Sequence, residues 1–279
     1  MNELIDQLID IALREDIGDG DHSTFCCIPE SATGKAKLLV KDPGVIAGVE
    51  LAQHILKRFD PTLKVEVFIQ DGAEVKPGDI VFTVEGKERS LLQIERLMLN
   101  VMQRMSGVAT TTRCYVNELA GLKTKVLDTR KTTPGMRLIE KAAVKIGGGV
   151  NHRIGLYDAI MLKDNHIDFA GGIRNAILRA QEYLKEKGKD LTIEVEVRSM
   201  EELEEVMQTG GINRIMLDNF TPELTCKAVD RIGGKYETES SGGITFETLR
   251  QYAECGVDFI SVGALTHSVK SLDLSFKAC

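Results

Sequence analysis

The stretch LTIEVEVRSMEELEEVMQTGGINRIMLDN, residues 191–219, decides the fold. LTIEVEV reads as a short strand, SMEELEEVMQ has helical spacing, and NRIMLDN is a strand again. Strands joined by a helix in this way run parallel, with a right-handed crossover. The rhythm extends in both directions. KTKVLD precedes a helix at roughly residues 136–145, and YDAIMLKD is followed by one at roughly 172–187. PELTCKAVDRI leads to KYETES, and FETLRQYAEC leads to VDFISVG. Six or seven such strands after residue 120 fit a closed or nearly closed α/β barrel better than an open doubly wound sheet. No GxGxxG opens the first unit, so a dinucleotide fold lacks its main signature.

Upstream the text differs. Residues 3–15 place Leu4, Ile5, Leu8, Ile9, Ile11 and Ala12 on one helical face. From Gly34 to Gly86 the pattern is β-like, with DG and PG turns in KVEVFIQDGAEVKPGDIVFTVEG and a helix in VELAQHILKRF. The β module resembles the half-barrel of biotinyl and lipoyl carriers, but its tips, DG and KPGD, lack the methionine or aspartate that usually flanks a carrier lysine, so a structural module is expected. SLLQIERLMLNVMQRMSGVATTTRCYVNELA is one long helical pattern, apolar on more than one side, with a domain boundary expected near Gly107.

Composition narrows the function. The 279 residues suffice for one large or two smaller domains, and no segment approaches the roughly 18 apolar residues of a membrane span. The acidic, amphipathic start differs from a targeting leader, so a cytoplasmic location is expected. A net charge of −7, 5% aromatic residues and no tryptophan speak against nucleic-acid binding through a basic or stacking surface. Cys26, Cys27, Cys114, Cys226, Cys255 and Cys279 form no CxxC pair, so buried reduced thiols are expected.

Side chains at the C-terminal ends of barrel strands share a mouth. Those ends carry Asp128, Arg130 and Lys131, then Lys163, Asp164 and Asn165, then Glu194 and Glu196. They continue with Asp218 and Asn219, then Glu239, Ser240 and Ser241, and finally Gly263. A single polar strand end means little, and LDTRKTTPG (127–135) alone would suit a solvated turn. Several converging ends point to an anionic ligand, with Arg130, Lys131, Arg153 and Lys163 as its cations. Arg137, Lys141 and Lys145 read instead as a solvated helix face. SSGGIT (240–245), just before an expected helix, and SVGALTH (261–267) look like phosphate cradles. Glu196 and Asp218 suit a divalent metal beside that phosphate.

DTRKTTPG, GGGVNHR, LKDNH, IEVEV, MLDNF and SSGGI, in this order, together resemble the quinolinate phosphoribosyltransferase family. REDIGDGD and ERLMLNVMQRMSGVAT extend the resemblance over nearly the whole chain. It implies an open seven-stranded, TIM-like α/β barrel at residues 108–266. An α+β sandwich at 1–107 would be joined by the tail 267–279. It implies transfer of phosphoribosyl from phosphoribosyl pyrophosphate to quinolinate with decarboxylation, giving nicotinate mononucleotide on the route to NAD. Mg²⁺ would be the cofactor. Arg130, His152, Arg153 and Lys163 would grip the two carboxylates of quinolinate, with Arg96 reaching in from the other subunit of a homodimer, or of a hexamer. Lys131 and Lys163 would face the phosphates. Ser241, Gly242 and Gly263 would bind the 5′-phosphate, and Glu196 and Asp218 the metal and ribose. Lys131, Glu196 and Asp218 would form the catalytic set. The alternatives are a nicotinate phosphoribosyltransferase, a molybdate-linked paralogue, and a non-catalytic carrier or regulatory protein.

Overall fold

The computed structural model describes residues 3–279. The first part of the chain runs α1 (Glu3–Ile17), α2 (His22–Cys27), β1 (Thr33–Val40), β2 (Gly44–Val45), α3 (Val49–Phe59), β3 (Lys64–Val67), β4 (Glu74–Val75), β5 (Ile80–Lys87) and α4 (Glu88–Glu118). The remainder runs β6 (Lys125–Leu127), α5 (Arg137–Ile146), β7 (Ile160–Leu162), α6 (Asp164–Ala170), α7 (Ile173–Lys187), β8 (Ile193–Val197), α8 (Met200–Thr209), β9 (Arg214–Asp218), α9 (Pro222–Ile232), β10 (Glu237–Ser241), α10 (Leu249–Glu254), β11 (Phe259–Ser261), α11 (Ala264–His267) and β12 (Leu274–Ala278). The chain divides into two compact units. One holds the residues up to Arg113, Thr132–Gly148 and Ala264–Cys279; the other holds Cys114–Lys131 and Gly149–Gly263. Thr132–Gly148, which lies within the sequence span assigned to the barrel, thus belongs to the first unit.

In the first unit a four-stranded antiparallel sheet has the order β12-β1-β5-β3. Leu38 stands between Phe276 and Phe82 in register, and burial alternates along TGKAKLLV as one core-facing side requires. Complete burial of Leu38 and Phe82 stabilises by roughly 2 kcal/mol each. The DG turn of the carrier-like stretch caps a helix: Asp71 accepts the N–H groups of Val49 (2.9 Å) and Glu50 (3.2 Å) at the start of α3. Gly107 lies inside α4, not between elements, and a side chain there would collide with the Lys270 carbonyl of the returning tail.

The second unit is a parallel sheet of order β6-β11-β10-β9-β8-β7. The expected seventh strand is reduced to one residue: Val150 makes a single parallel bridge to Leu127 on the other side of β6. The barrel is therefore open between Val150 and β7. All five residues of β8 are buried, as in a parallel sheet covered on both faces. Caps set where the helices begin. The Ser199 hydroxyl accepts Glu202 N–H (3.2 Å) and the Thr221 hydroxyl accepts Leu224 N–H (3.3 Å), with Pro222 opening α9.

Several sequence expectations are corrected. Cys26, Cys27, Cys114 and Cys279 are exposed, and Cys226 is disulfide-bonded to Cys255, joining α9 to the end of α10. Lys141 is 1% exposed, not solvated. No helix starts directly after SSGGIT, because α10 begins only at Leu249. Among the described residues no helix is long and apolar enough to cross a membrane.

Candidate active site

Alternation along three neighbouring strands builds two polar layers inside the second unit. On β8, Glu194 and Glu196 share a face, as do Arg214 and Asp218 on β9 and Glu239 and Ser241 on β10. Residues two apart are separated by about 6–7 Å along a strand, so Glu194 and Glu239 lie below the mouth that the sequence assigned to them.

The upper layer lies at the C-terminal strand ends. Lys163, just past β7, reaches across to Glu196, with Nζ 2.9 Å from Oε2. Glu196 is buried, while the lysine side chain is 45% exposed. Asp218 stands opposite Ser241 in register on β10. Burial and the charge of Glu196 push the Asp218 pKa up. Two acids therefore share a site that wants more positive charge than Lys163 supplies.

The turn after Asp218 is strained. Asn219 has φ of 56°, the one positive value among the described non-glycine residues. Its side-chain amide donates to Asp218 Oδ2 (2.7 Å) and its backbone N–H donates to the Ser241 carbonyl (2.9 Å). Gly242, with φ of 92°, packs so closely on Asn219 that a Cβ would collide with it. Asp218 and the expected phosphate turn are thus locked together. Gly263 follows β11, the next strand over. The helix after it, Ala264–His267, has four residues, so helix dipoles contribute little at either turn.

Arg130 and Lys131 are exposed beyond the end of β6. Asp128 before them is fully buried, accepting Asn151 Nδ2 (2.5 Å) and the backbone N–H of His152 (2.8 Å). Arg153 is half-buried. Burial and the nearby charge of Arg130 both lower its pKa, so these cations lie close enough to repel. One guanidinium nitrogen of Arg153 donates to the Ala159 carbonyl (3.1 Å), while its buried Nε has no partner. A cavity of about 330 Å³ beside Arg153, His152, Glu194 and Arg214 opens at the N-terminal strand ends, next to Ala159 and Asn213. His152 does not stand at the mouth. Its side chain is 8% exposed and lies in the lower layer. Arg96 is exposed on α4 in the first unit, with Glu95 as a distant ion partner at 3.9 Å.

In the lower layer His152 Nε2 is 3.0 Å from Glu194 Oε2 and 3.3 Å from Glu239 Oε2. Burial works against a charged ring, but the two carboxylates outweigh it and raise the His152 pKa to about 9. Geometry sets a further condition, because the backbone N–H of Arg153 points at Nδ1 from 2.7 Å and needs a lone pair there. Burial and the charge of Glu239 push the Glu194 pKa up. Burial would also raise Glu239, but His152 and Arg214 hold it low. The ligand atoms of His152, Glu194 and Glu239 lie within 4.8 Å of one another.

Sequence reasoning missed Arg214, which bridges Glu239 (3.2 Å) and Glu237 (2.9 Å). It also missed the Arg104–Glu140 pair (2.8 Å) in the first unit, whose carboxylate is fully buried. The signal for Arg214 was its inward register with Glu194 and Glu237; Arg104 left none.

An open α/β barrel with a lysine, two acids and a glycine turn on successive strand ends is the architecture of an enzyme that handles phosphorylated, anionic substrates. Comparison makes the class specific. The family described as "Quinolinate phosphoribosyl transferase, N-terminal domain" matches residues 21–106, and its C-terminal domain matches 108–277. The chain is 45% identical to "Nicotinate-nucleotide pyrophosphorylase [carboxylating], chloroplastic" of Arabidopsis thaliana, over 97% of this chain and 81% of that protein. It is 40% identical to the "Probable nicotinate-nucleotide pyrophosphorylase [carboxylating]" of Bacillus subtilis, over 99% and 94%. The crystal structure of NadC from Streptococcus pyogenes superposes with a TM-score of 0.93 at 41% identity, covering 98% and 95%. The chain belongs to the quinolinate phosphoribosyltransferase family.

Proposed function

We infer that this protein transfers the phosphoribosyl group of phosphoribosyl pyrophosphate to quinolinate with loss of CO2, giving nicotinate mononucleotide and pyrophosphate for NAD synthesis. The observation that carries the chemistry is the Lys163–Glu196–Asp218 group beside the Ser241–Gly242 turn. The excess of acid there suits Mg²⁺, which would be held by Glu196 and Asp218 and would offset the charge of the departing pyrophosphate. Lys131 and Lys163 face the phosphates. The turns at Ser241, Gly242 and Gly263 are small enough for backbone N–H groups to approach the 5′-phosphate.

The reaction needs positioned charge and no side-chain nucleophile. As pyrophosphate leaves, C1 of the ribose becomes cation-like and the pyridine nitrogen attacks it. The ring nitrogen is then cationic and accepts the electron pair released when the 2-carboxylate departs as CO2; a proton replaces it at C2. Arg130 and Arg153, which repel one another, are brought to terms by a doubly acidic ring between them. Arg96, exposed on α4, is assigned to the neighbouring subunit's site in a homodimer, and the protein to the cytoplasm.

The deciding experiment is a reaction with quinolinate in which CO2 and pyrophosphate are measured together. Equal amounts of both are expected. Turnover of nicotinate in place of quinolinate, or ligand binding without pyrophosphate release, would overturn the assignment.

A further inference from the structure

Position 219 carries a side chain that its backbone does not favour. Among the described residues every other positive φ belongs to a glycine, and Asn219 at 56° is the exception. Glycine takes that conformation freely, whereas asparagine tolerates it because its short amide can bond locally. A side chain kept where glycine would serve points to what that side chain touches. The carboxamide nitrogen donates to Asp218 Oδ2 at 2.7 Å, so Oδ1 is the oxygen left for a ligand. The same carboxamide fills the space where Gly242, at φ of 92°, would carry a Cβ. The backbone N–H of Asn219 donates to the Ser241 carbonyl at 2.9 Å, one residue past the end of β9. One residue therefore touches both the acid that ends β9 and the turn that follows β10.

These two features serve opposite ends of one sugar. Asp218 is assigned to the metal and the ribose, and the Ser241–Gly242 turn to the 5′-phosphate of the same substrate. Covalent bonds limit the span from ribose hydroxyls to 5′-phosphate, so the acid and the turn must keep a matching separation. Strand pairing does not secure it, because β9 stops at Asp218 and β10 at Ser241. We propose that Asn219 is a positioning residue for phosphoribosyl pyrophosphate: its amide sets the Asp218 carboxylate, and its contact with Gly242 holds the phosphate turn at a fixed distance from that acid. This inference rests on the function proposed above. Its effect spares quinolinate, whose cations Arg130 and Arg153 stand on other segments.

The test compares Asn219→Gly and Asn219→Ala in the full-length protein. Both lose the amide, but only alanine is strained at this φ, so Asn219→Ala should melt roughly 2–4 °C below Asn219→Gly. Both should lower kcat/KM for phosphoribosyl pyrophosphate about tenfold, with the KM for quinolinate within about twofold of wild type. Calorimetric binding of phosphoribosyl pyrophosphate without quinolinate, which involves no turnover, should weaken by about the same factor in both. A scaffold role would instead make activity follow Tm. Asn219→Gly with wild-type kinetics and binding would overturn the proposal. Tyr252→Phe is the control, because the Tyr252 hydroxyl holds the next residue, donating to the Phe220 carbonyl at 3.0 Å without touching Asp218. It should lower Tm and leave kcat/KM for phosphoribosyl pyrophosphate within about twofold. An equal loss in Tyr252→Phe would assign the effect to a loosened loop and also overturn the proposal. Wild-type protein that neither binds nor turns over phosphoribosyl pyrophosphate would sink the functional reading and this inference together; an active wild type beside an unaffected Asn219→Gly sinks this inference alone.

Discussion

Removing Arg104 tests how α5 and the residues just before it are anchored within the first unit. Glu140 on α5 is fully buried, and Arg104 Nε and Nη2 donate to its Oε1 at 3.0 and 2.8 Å. The other oxygen accepts the backbone N–H of Thr133, within LDTRKTTPG, at 3.1 Å. Arg104→Met would leave a carboxylate sealed from water with one amide donor. Breaking a buried pair in this way costs about 3–5 kcal/mol. The arginine is 21% exposed, so water reaches the gap and the lower end applies, about 3 kcal/mol. For a chain of this size that lowers Tm by roughly 6–12 °C. The measurement is urea unfolding of wild type, Arg104→Met and Arg104→Met/Glu140→Leu. Because the cost lies in the stranded charge and not in a lost attraction, the double variant should recover about 2 kcal/mol of the loss. A single variant within about 1 kcal/mol of wild type, or a double variant no better than the single, would refute the reasoning.

Lys163→Met takes the cation from beside Glu196 and Asp218; kcat/KM should fall about 10²-fold, and a change under about threefold would remove Lys163 from the reaction. Gly242→Ala forces a Cβ into Asn219 at φ of 92°, so the KM for phosphoribosyl pyrophosphate should rise at least about tenfold while that for quinolinate moves little. At Asp258, burial would raise the pKa, but Lys123 (2.9 Å) and the N–H and hydroxyl of Thr238 (2.9 and 2.8 Å) hold it below the usual value. Its stabilisation is therefore present above the unfolded-state pKa and lost as pH falls through the lower folded value. Asp258→Asn should cost about 1 kcal/mol at pH 7, and the two proteins should converge in acid; a constant difference down to about pH 2 would contradict this.

The β/α alternation was legible because each strand is a short apolar run bounded by turn residues, and the order of polar strand ends could be read directly. Depth was not. Glu194 and Glu196 both face inward and look alike in IEVEV, but only the register with Arg214 and Met216 separates the mouth from the layer beneath it. Lys141 misled because Arg137, Lys141 and Lys145 follow one another at helical spacing, which is the pattern of a wet face. The buried flank of α5 in fact includes Glu140 and Lys141. The Cys226–Cys255 bond joins residues 29 apart on different helices, a proximity no local spacing could reveal. The near-disappearance of the seventh strand was equally hidden, since GGGVNHR carries no apolar run long enough to locate its end.

A barrel that stops short of closing has a rim with unpaired amides, and such rims invite strands from other molecules. Here β7 offers three residues, preceded by Asp158 and Ala159 and followed by Lys163. A template so brief and so charged gives an intruding chain almost nothing to zip onto. The gap can therefore persist in a crowded solution without seeding fibrils, and a substitution lengthening that strand with β-branched residues would put solubility at risk before it touched turnover.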